Sequence, residues 1–225
     1  MSDENKNENQ KEQIKDMGGV YTKNNKMNIY CLSIVGQIEG HTNLPSDTKT
    51  TKYEHVIPKL VEIEQSDEVD GLLIMLNTVG GDVEAGLAIA EMIASMKKPT
   101  VSIVLGGGHS IGVPLAVSAK HSLIVPSATM TVHPIRTGGI VIGVHQMFDY
   151  LTKVQDRIID FVERNSKIKG EAFKKIMLET GKIANDVGTI LFGEEAVSCG
   201  LIDGVGGMQD AIEILYKMKE EKTKR

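Results

Sequence analysis

The sequence predicts an α/β fold built from successive β-α units, and two observations predict it. Short runs of consecutive apolar residues, such as GLLIMLN (71–77) and TVSIVLG (100–106), are typical of parallel strands that are buried on both faces. Each of these runs is followed by a segment whose apolar residues recur with helical periodicity. Strands that alternate with helices in this way form a parallel sheet covered by helices.

The N-terminal segment is expected to lie outside this fold. Residues 1–27 are rich in Asn, Lys, Glu and Gln and follow neither helical nor strand periodicity. Such a segment buries too little apolar surface to offset the entropy cost of ordering it. We therefore expect a disordered polar tail over residues 1–27 and a single domain over residues 28–225.

The first β-α units follow in order. Residues 29–38 (IYCLSIVGQI) are predicted to form a buried strand, and a polar surface loop follows. The segment YEHVIPKLVEIEQ is predicted to be a helix that tolerates Pro58 in its first turn. After the strand at 71–77, Asp82 is expected to cap the next helix, DVEAGLAIAEMIASM, with its side chain.

The next unit consists of the strand at 100–106 and a helix over residues 110–120. Three strand-like runs then follow, punctuated by Pro and Gly: HSLIVP, ATMTVHP and GGIVIGV. Residues 145–165 place their apolar side chains on one face and predict a long amphipathic helix. Three shorter helices are expected after it, with the sequences GEAFKKIMLET, GEEAVSCG and MQDAIEILYKMKEE.

Composition excludes several classes of function. The net charge of -5 includes no long run of one sign, so neither a nucleic-acid surface nor a polybasic membrane patch is expected. The chain has no signal-peptide pattern and no apolar run near the roughly 18 residues that cross a bilayer, so we expect a cytoplasmic protein without an integral membrane segment. Cys31 and Cys199 lack metal-ligand spacing, and the chain contains no Gly-x-x-x-x-Gly-Lys motif for ATP. No metal site and no cofactor are predicted.

The segment GGGHSIG (106–112) places Ser110 in a Gly-x-Ser-x-Gly motif, where an apolar strand gives way to a helix. A hydroxyl at this junction faces backbone N–H groups that favour negative charge, which suits the nucleophile of a serine hydrolase. The same position also suits a serine that only caps the helix. From these residues alone, both interpretations remain open.

A nucleophilic serine needs a base, and His133 is the best placed of the six histidines. His109 is adjacent to Ser110, where the local geometry makes a proton relay between the two side chains awkward. His133 ends the alternating strand ATMTVHP, and strand ends in α/β proteins face the crevice in which ligands bind. The alternative for His133 is a hydrogen-bonded core or turn histidine.

The order of residues along the chain limits the choice of the third member of a triad. No Asp or Glu lies between Ser110 and Asp149, and no histidine follows His145. The order of an α/β-hydrolase, which is serine, acid and then histidine, is therefore not available. Asp186 is the best candidate acid, because it falls in a segment predicted to be irregular, after the helix stop at Gly181.

A second strand-to-helix junction offers donors for an oxyanion. In NTVGGDVEAG, Gly80 and Gly81 follow a strand and precede a helix whose N-terminus is electropositive. The N–H groups of Gly81 and Ile111 are expected to form an oxyanion hole, and losing one such donor typically costs roughly 10²- to 10³-fold in rate. The alternative is an ordinary Gly-Gly turn.

Four segments, taken in order, resemble the successive motifs of the Clp protease proteolytic subunit family. They are LNTVGGDVEAGLAIAEMI, GGGHSIGVPLAVSAK, MTVHP and FGEEAVSCGLIDG. The resemblance spans about residues 29–215. Two details, GGGHSIGVP and VGQIEGH, are similar to the translocation-enhancing protein branch of that family.

The resemblance implies a ClpP-like and crotonase-like spiral of β-α units with a protruding long handle helix. It also implies the activity of a serine peptidase. Carried over by motif, Ser110 is the nucleophile, His133 the base and Asp186 the acid that orients the base. Gly81 and Ile111 supply the N–H groups of the oxyanion hole.

The resemblance also implies an assembly and a substrate. Helix 146–165 would help to build a homo-oligomeric ring, which would cleave peptides or unfolded proteins. The translocation-enhancing branch implies a link to protein export. ATP would enter only through a separate unfoldase partner.

Two other functions are weighed against this one. Ungapped counting back from EEAVSCGLID reaches Gly188 rather than Asp186, which motivates a ring or adaptor protein with a weakened triad and no catalytic role. Acyl-CoA chemistry on a crotonase-like fold would use the same glycine-built oxyanion hole, but it would leave Ser110 and His133 without a purpose.

Overall fold

The computed structural model describes residues 19–139, 142–183 and 186–224. The strands in this part of the chain are β1 (Gly19–Lys23), β2 (Asn28–Glu39), β3 (Thr50–Lys52), β4 (Gly71–Gly81), β5 (Thr100–Gly108), β6 (His121–Ile124), β7 (Thr129–Val132), β8 (Thr180–Ile183), β9 (Asp186–Val187), β10 (Thr189–Phe192) and β11 (Gly204–Val205). The helices are α1 (Tyr53–Gln65), α2 (Val83–Ser95), α3 (Gly112–Val117), α4 (Val144–Asn165), α5 (Gly170–Met177), α6 (Gly193–Ser198) and α7 (Met208–Thr223).

The predicted α/β class is confirmed. Strands β2, β4, β5 and β6 lie side by side in parallel, and helices connect β4 to β5 and β5 to β6. Strand β7 leaves this layer: it touches β5 only where Gly107 lies opposite Thr129, and it pairs with β10 in antiparallel orientation. The carboxyl ends of β4, β5 and β7 are therefore brought to one region of the molecule.

Both faces of the sheet are covered, which explains why the strand sequences are continuously apolar. In β4, the side chains of Leu72, Ile74 and Leu76 belong to the larger core, which helices α1 to α6 share. Leu73, from the opposite face of the same strand, belongs to a second core together with Leu215 of α7. Successive residues of β4 thus alternate between two apolar layers.

The predicted boundary of the N-terminal tail needs a correction. Residues 19–23 were expected to be disordered, yet they form β1, which pairs antiparallel with residues 28–32 of β2. The ring of Tyr21 packs edge-on against that of Tyr30 at 4.7 Å between centroids, and Met27 is buried. This pairing satisfies backbone groups that the polar sequence could not satisfy alone. Residues 1–18 lie outside the described part.

Helices α1 and α2 both form where the sequence predicted them, but the position of Pro58 within α1 differs. The Asp82 side chain accepts a hydrogen bond from the N–H of Ala85 at 2.8 Å, so the predicted cap of α2 is confirmed. Helix α1 begins at Tyr53, directly after β3, so Pro58 is its sixth residue rather than a member of its first turn. Its ring removes one intrahelical hydrogen bond there.

The segment GGIVIGV was predicted to be a strand, and its described residues do not form one. Gly138, Gly139, Ile142 and Gly143 lie outside regular strands, and α4 already begins at Val144. Residues 140 and 141 lie outside the described part of the chain. Two glycines with positive φ, Gly139 and Gly143, are compatible with a loop here rather than an extended strand.

The long helix α4 confirms the prediction for residues 145–165. No side chain in its first ten residues is buried, whereas Val154 is buried and Ile158 and Phe161 pack into the larger core. The outer face of the packed half is tied to α2 by ion pairs from Arg157 to Glu84 at 2.7 Å and from Arg164 to Glu91 at 2.8 Å. The N-terminal half of α4 therefore protrudes from the domain. No helix in the described residues combines the length and apolar character needed to span a membrane.

Candidate active site

Ser110 lies on a sharp turn between β5 and α3. Its φ is 57°, and it is the one non-glycine residue with positive φ in the part of the chain that the structure describes. A left-handed conformation outside glycine typically costs on the order of 1–3 kcal/mol and persists only where the surroundings fix it. Such strain is concentrated at active sites, because it aims a side chain where regular structure would not.

The alternative interpretation of Ser110 as a helix cap is not supported. The N-cap of α3 is Ile111, and no side-chain hydrogen bond caps this helix. It is the carbonyl of Ser110, and not its hydroxyl, that accepts the N–H of Val113 at 3.0 Å. The hydroxyl is thus not used to begin the helix.

Main-chain contacts from two neighbouring strands hold the turn in place. The N–H of Ser110 donates to the carbonyl of Thr131 in β7 at 2.8 Å. The N–H of His109 donates to the carbonyl of Thr78 in β4 at 3.1 Å. The end of β5 is therefore fastened on both sides, which fixes the strained residue between the strands.

Ser110, His133, Gly81 and Ile111 line a single cleft of about 350 Å³. The sequence predicted five site residues, and the fold brings four of them, which come from three separate motifs, into this cleft. Sequence reasoning did not find the rest of the wall, which is mostly apolar. Its other members include Val113, Ile135, Ile158, Phe173 and Met177.

Gly80 and Gly81 form the part of the cleft that is contributed by β4. Both have positive φ, 89° and 151° respectively, and a Cβ atom on Gly81 would lie 2.2 Å from the carbonyl oxygen of Ile38. Side chains are therefore excluded at both positions. Because neither residue carries a side chain, the backbone of this junction is open to close approach by a substrate.

His133 follows directly after β7, at the strand end where the sequence predicted it. Its Nδ1 lies 2.6 Å from the carbonyl oxygen of Pro134. Because a carbonyl can only accept, Nδ1 must donate in this contact, and a neutral ring then carries its lone pair on Nε2. This is the form in which the Nε2 of a histidine can accept a proton from a hydroxyl.

His109 has a different role, as the sequence suggested. Its Nδ1 accepts a hydrogen bond from the N–H of Thr131 at 3.1 Å, and it is not among the residues that line the cleft. Burial, and to a lesser degree the nearby His133, lowers the pKa of His109 below its usual 6.5. The ring is therefore held neutral and bonded to the neighbouring strand.

The secondary structure around Asp186, the predicted acid, differs from the expectation. Asp186 was expected in an irregular segment, but its backbone belongs to β9, which pairs with β8. The side chain of Asp186 lies outside the described residues. Gly188, two residues further on, packs against His133: a Cβ atom built there would lie 2.8 Å from the Cβ of His133.

A mixed α/β domain that brings a strained serine and a strand-end histidine into one cleft has the arrangement of a serine peptidase. Comparison with known proteins agrees with this class. The profile of the family described as Clp protease matches residues 26–209. The chain therefore belongs to the Clp protease family, which confirms the resemblance carried by the four sequence motifs and the predicted ClpP-like fold.

Individual relatives show how the similarity is distributed. Translocation-enhancing protein TepA of Halalkalibacterium halodurans is 58% identical over 194 residues, which cover 86% of this chain and 76% of that protein. An ATP-dependent Clp protease proteolytic subunit of Leuconostoc citreum is 29% identical over 157 residues, which cover 67% of this chain and 74% of that protein. ATP-dependent Clp protease proteolytic subunit 1 of Chlamydia trachomatis serovar D is 28% identical over 156 residues, covering 66% and 77%.

Proposed function

We propose that this protein is a serine endopeptidase that cleaves peptides or unfolded proteins through an acyl-enzyme. The observation that carries the proposal is the cleft itself. Ser110, with a φ of 57°, and His133, with its lone pair on Nε2, line the same cleft. Gly81 and Ile111, from the two strand-to-helix junctions, line it as well. Nucleophile, base and oxyanion donors are the parts that acyl transfer requires.

In the proposed reaction, Oγ of Ser110 attacks the scissile carbonyl while Nε2 of His133 takes the hydroxyl proton. The N–H groups of Gly81 and Ile111 stabilise the oxyanion of the tetrahedral intermediate. His133 then returns its proton to the leaving amine as the peptide C–N bond breaks. Water attacks the resulting ester with His133 again as the base, and this step releases the second product and restores Ser110.

Asp186 is proposed as the acid that stabilises the protonated His133. Its backbone lies two residues before Gly188, and Gly188 packs against His133, so Asp186 belongs to the chain segment next to the proposed base. The carbonyl of Pro134 holds Nδ1 at 2.6 Å. We propose that the carboxylate replaces this carbonyl when the active assembly forms.

The assembly proposed is a homo-oligomeric ring, and α4 supports it. The protruding half of this helix exposes Val144, Phe148 and Tyr150, each with more than half of its surface accessible. Exposed apolar side chains on a protruding helix favour contact with a second copy of the chain. One relative is named as an ATP-dependent proteolytic subunit, so a separate ATPase is proposed as the source of unfolded substrate.

A second candidate function is a ring or adaptor protein without catalytic activity that assists protein export. The name of the relative that is 58% identical, a translocation-enhancing protein, favours it. The contact between Nδ1 of His133 and the carbonyl of Pro134 is compatible with a weakened triad. In this case the cleft would bind a peptide without cleaving it.

Labelling with a serine-directed fluorophosphonate separates the two candidates. A peptidase forms a covalent adduct at Ser110, and Ser110→Ala and His133→Ala abolish it. Ser46→Ala, which changes an exposed loop serine, serves as the matched control and retains full labelling. The adaptor function replaces the peptidase if the purified oligomer forms no adduct and if the Ser110→Ala variant complements a deletion strain as well as wild type does.

A further inference from the structure

His109 makes a side-chain contact that the proposed reaction does not use. Its Nδ1 accepts the main-chain N–H of Thr131 at 3.1 Å and lies 2.9 Å from the hydroxyl oxygen of the same residue. The next residue, Ser110, donates its own N–H to the carbonyl of Thr131 at 2.8 Å. Two consecutive residues of the serine turn therefore bond both main-chain groups of one residue in β7.

This contact lies where the two strands would otherwise separate. Strands β5 and β7 share one paired position, Gly107 and Thr129, and β5 then ends at Gly108. Beyond that point no carbonyl of β5 lies opposite the N–H of Thr131, and the imidazole of His109 takes its place as acceptor. The side chain thus extends the ladder between the strands by one hydrogen bond.

The contact also connects the nucleophile to the base along a short path. Thr131 is two residues before His133 in the chain, and the intervening residue, Val132, is buried. A rigid link between the serine turn and Thr131 therefore fixes the relative positions of Ser110 and His133. A shift of about 1 Å in such a pair can cost on the order of 10²-fold in rate.

The surroundings of the ring fit this role. A Cβ atom built on Gly107 would lie 2.6 Å from Nε2 of His109, so the glycine makes room for the imidazole. Burial and the nearby His133 lower the pKa of His109, which keeps Nδ1 unprotonated and able to accept. A protonated ring could not accept the N–H of Thr131.

We propose that His109 is a positioning residue that clamps the serine turn to Thr131 and thereby sets the geometry between Ser110 and His133. The catalytic part of this inference rests on the proposed peptidase function. The hydrogen bond itself makes a prediction that is independent of activity. His109 and His133 should carry their protons on opposite nitrogens, Nε2 in His109 and Nδ1 in His133.

Three variants test the clamp. His109→Ala removes the acceptor, His109→Asn offers an amide oxygen in its place, and His55→Asn changes an exposed histidine of α1 as a control. We expect the fluorophosphonate reaction rate to fall by about 10²-fold in His109→Ala and to stay within about tenfold of wild type in His109→Asn. For a peptide substrate, the loss should lie in kcat and not in KM, because His109 does not line the cleft.

Two measurements remain informative if the peptidase proposal fails. Histidine side-chain nitrogen NMR should show His109 protonated on Nε2, with Nδ1 as a hydrogen-bonded acceptor. Amide hydrogen exchange should show Thr131 protected in wild type and in His109→Asn, and exposed in His109→Ala. A proton on Nδ1 of His109, or equal protection of Thr131 in all variants, would overturn the clamp. A wild-type protein without labelling but with both signatures would remove the peptidase function and leave the clamp in place.

Discussion

Gly80 packs directly against Ser110, the proposed nucleophile: a Cβ atom built on Gly80 would lie 2.6 Å from the Cβ of Ser110 and 2.8 Å from the carbonyl oxygen of His109. The close approach joins two β-α junctions that are 30 residues apart in the chain. It also explains why the predicted oxyanion segment needs two glycines and not one, since Gly80 makes room for Ser110 and Gly81 for the backbone of Ile38.

The first prediction concerns this contact. Gly80→Ala forces a methyl group into Ser110 and a positive φ of 89° onto a residue with a Cβ atom. We expect the free energy of unfolding to fall by about 1–3 kcal/mol. We also expect fluorophosphonate labelling to fall by at least about 10²-fold, because the serine is displaced. Gly138→Ala is the control, since a Cβ atom there would have no neighbour within 4 Å.

The second prediction tests whether Asp186 acts together with Ser110 and His133 or whether these two residues act without it. Asp186→Asn should lower kcat by about 10- to 100-fold, less than the roughly 10⁴-fold loss that mutating a triad acid can cause. The loss is limited because the carbonyl of Pro134 still holds Nδ1 of His133 in the correct tautomer. Asp67→Asn, at an exposed site near the end of α1, is the matched control. Steady-state kinetics with a fluorogenic peptide would measure both variants, and an unchanged kcat in Asp186→Asn would remove this residue from the proposed triad.

Much of the fold follows from local pattern, because continuous apolar strands and amphipathic helices report burial on both faces of the sheet. Strand β1 does not, since four of its five residues are exposed or only partly buried and it forms by pairing with β2. GGIVIGV shows the opposite case. Its apolar content suggested a strand, but two of its glycines adopt positive φ and its described residues form none. In β1, pairing with β2 overrides the local preference, whereas in GGIVIGV the glycines permit a loop where the apolar content favoured a strand.

The candidate site was predictable to the extent that each part has its own motif. The Gly-x-Ser-x-Gly turn, the double glycine and the strand-end histidine each carry a signal in a few adjacent residues. The contact between His109 and Thr131 carries none, because it depends on how β5 and β7 separate. The same holds for Gly188, whose proximity to His133 arises from the pairing of β10 with β7.

The third prediction is a pH dependence of stability that comes from His109. Its pKa is lower in the folded protein than the usual 6.5, so the unfolded chain binds the proton more tightly. The stabilisation is therefore complete above about pH 6.5 and is lost as the pH falls through the lower, folded pKa. The other titratable group that acts on the ring is His133, whose charge adds to the effect of burial.

Urea unfolding at several pH values between about 5 and 8 would test this dependence. Wild type and His55→Asn should both lose stability on acidification more steeply than His109→Asn, which has no proton to bind at this position. Equal slopes for wild type and His109→Asn would contradict the prediction. The slopes, and not the absolute free energies, are compared because His109→Asn also changes packing around Gly107.

The fourth prediction concerns the substrate side chain next to the scissile bond. Ile135, Ile158 and Phe173 contribute to the wall of the cleft that contains Ser110; Ile158 and Phe173 are buried, and Ile135 is only partly buried. A large apolar side chain would remove water from Ile135, which favours binding by about 25 cal/mol for each Å² that is covered. We therefore expect peptides with leucine or phenylalanine at this position to be cleaved with a higher kcat/KM than those with aspartate.

Ile135→Asp should reduce that preference by at least about tenfold while Ser110 still reacts with a small fluorophosphonate, because the proposed nucleophile and base are unchanged. A peptide library read by mass spectrometry would measure the preference, and an unaltered profile in Ile135→Asp would show that this wall does not contact the substrate.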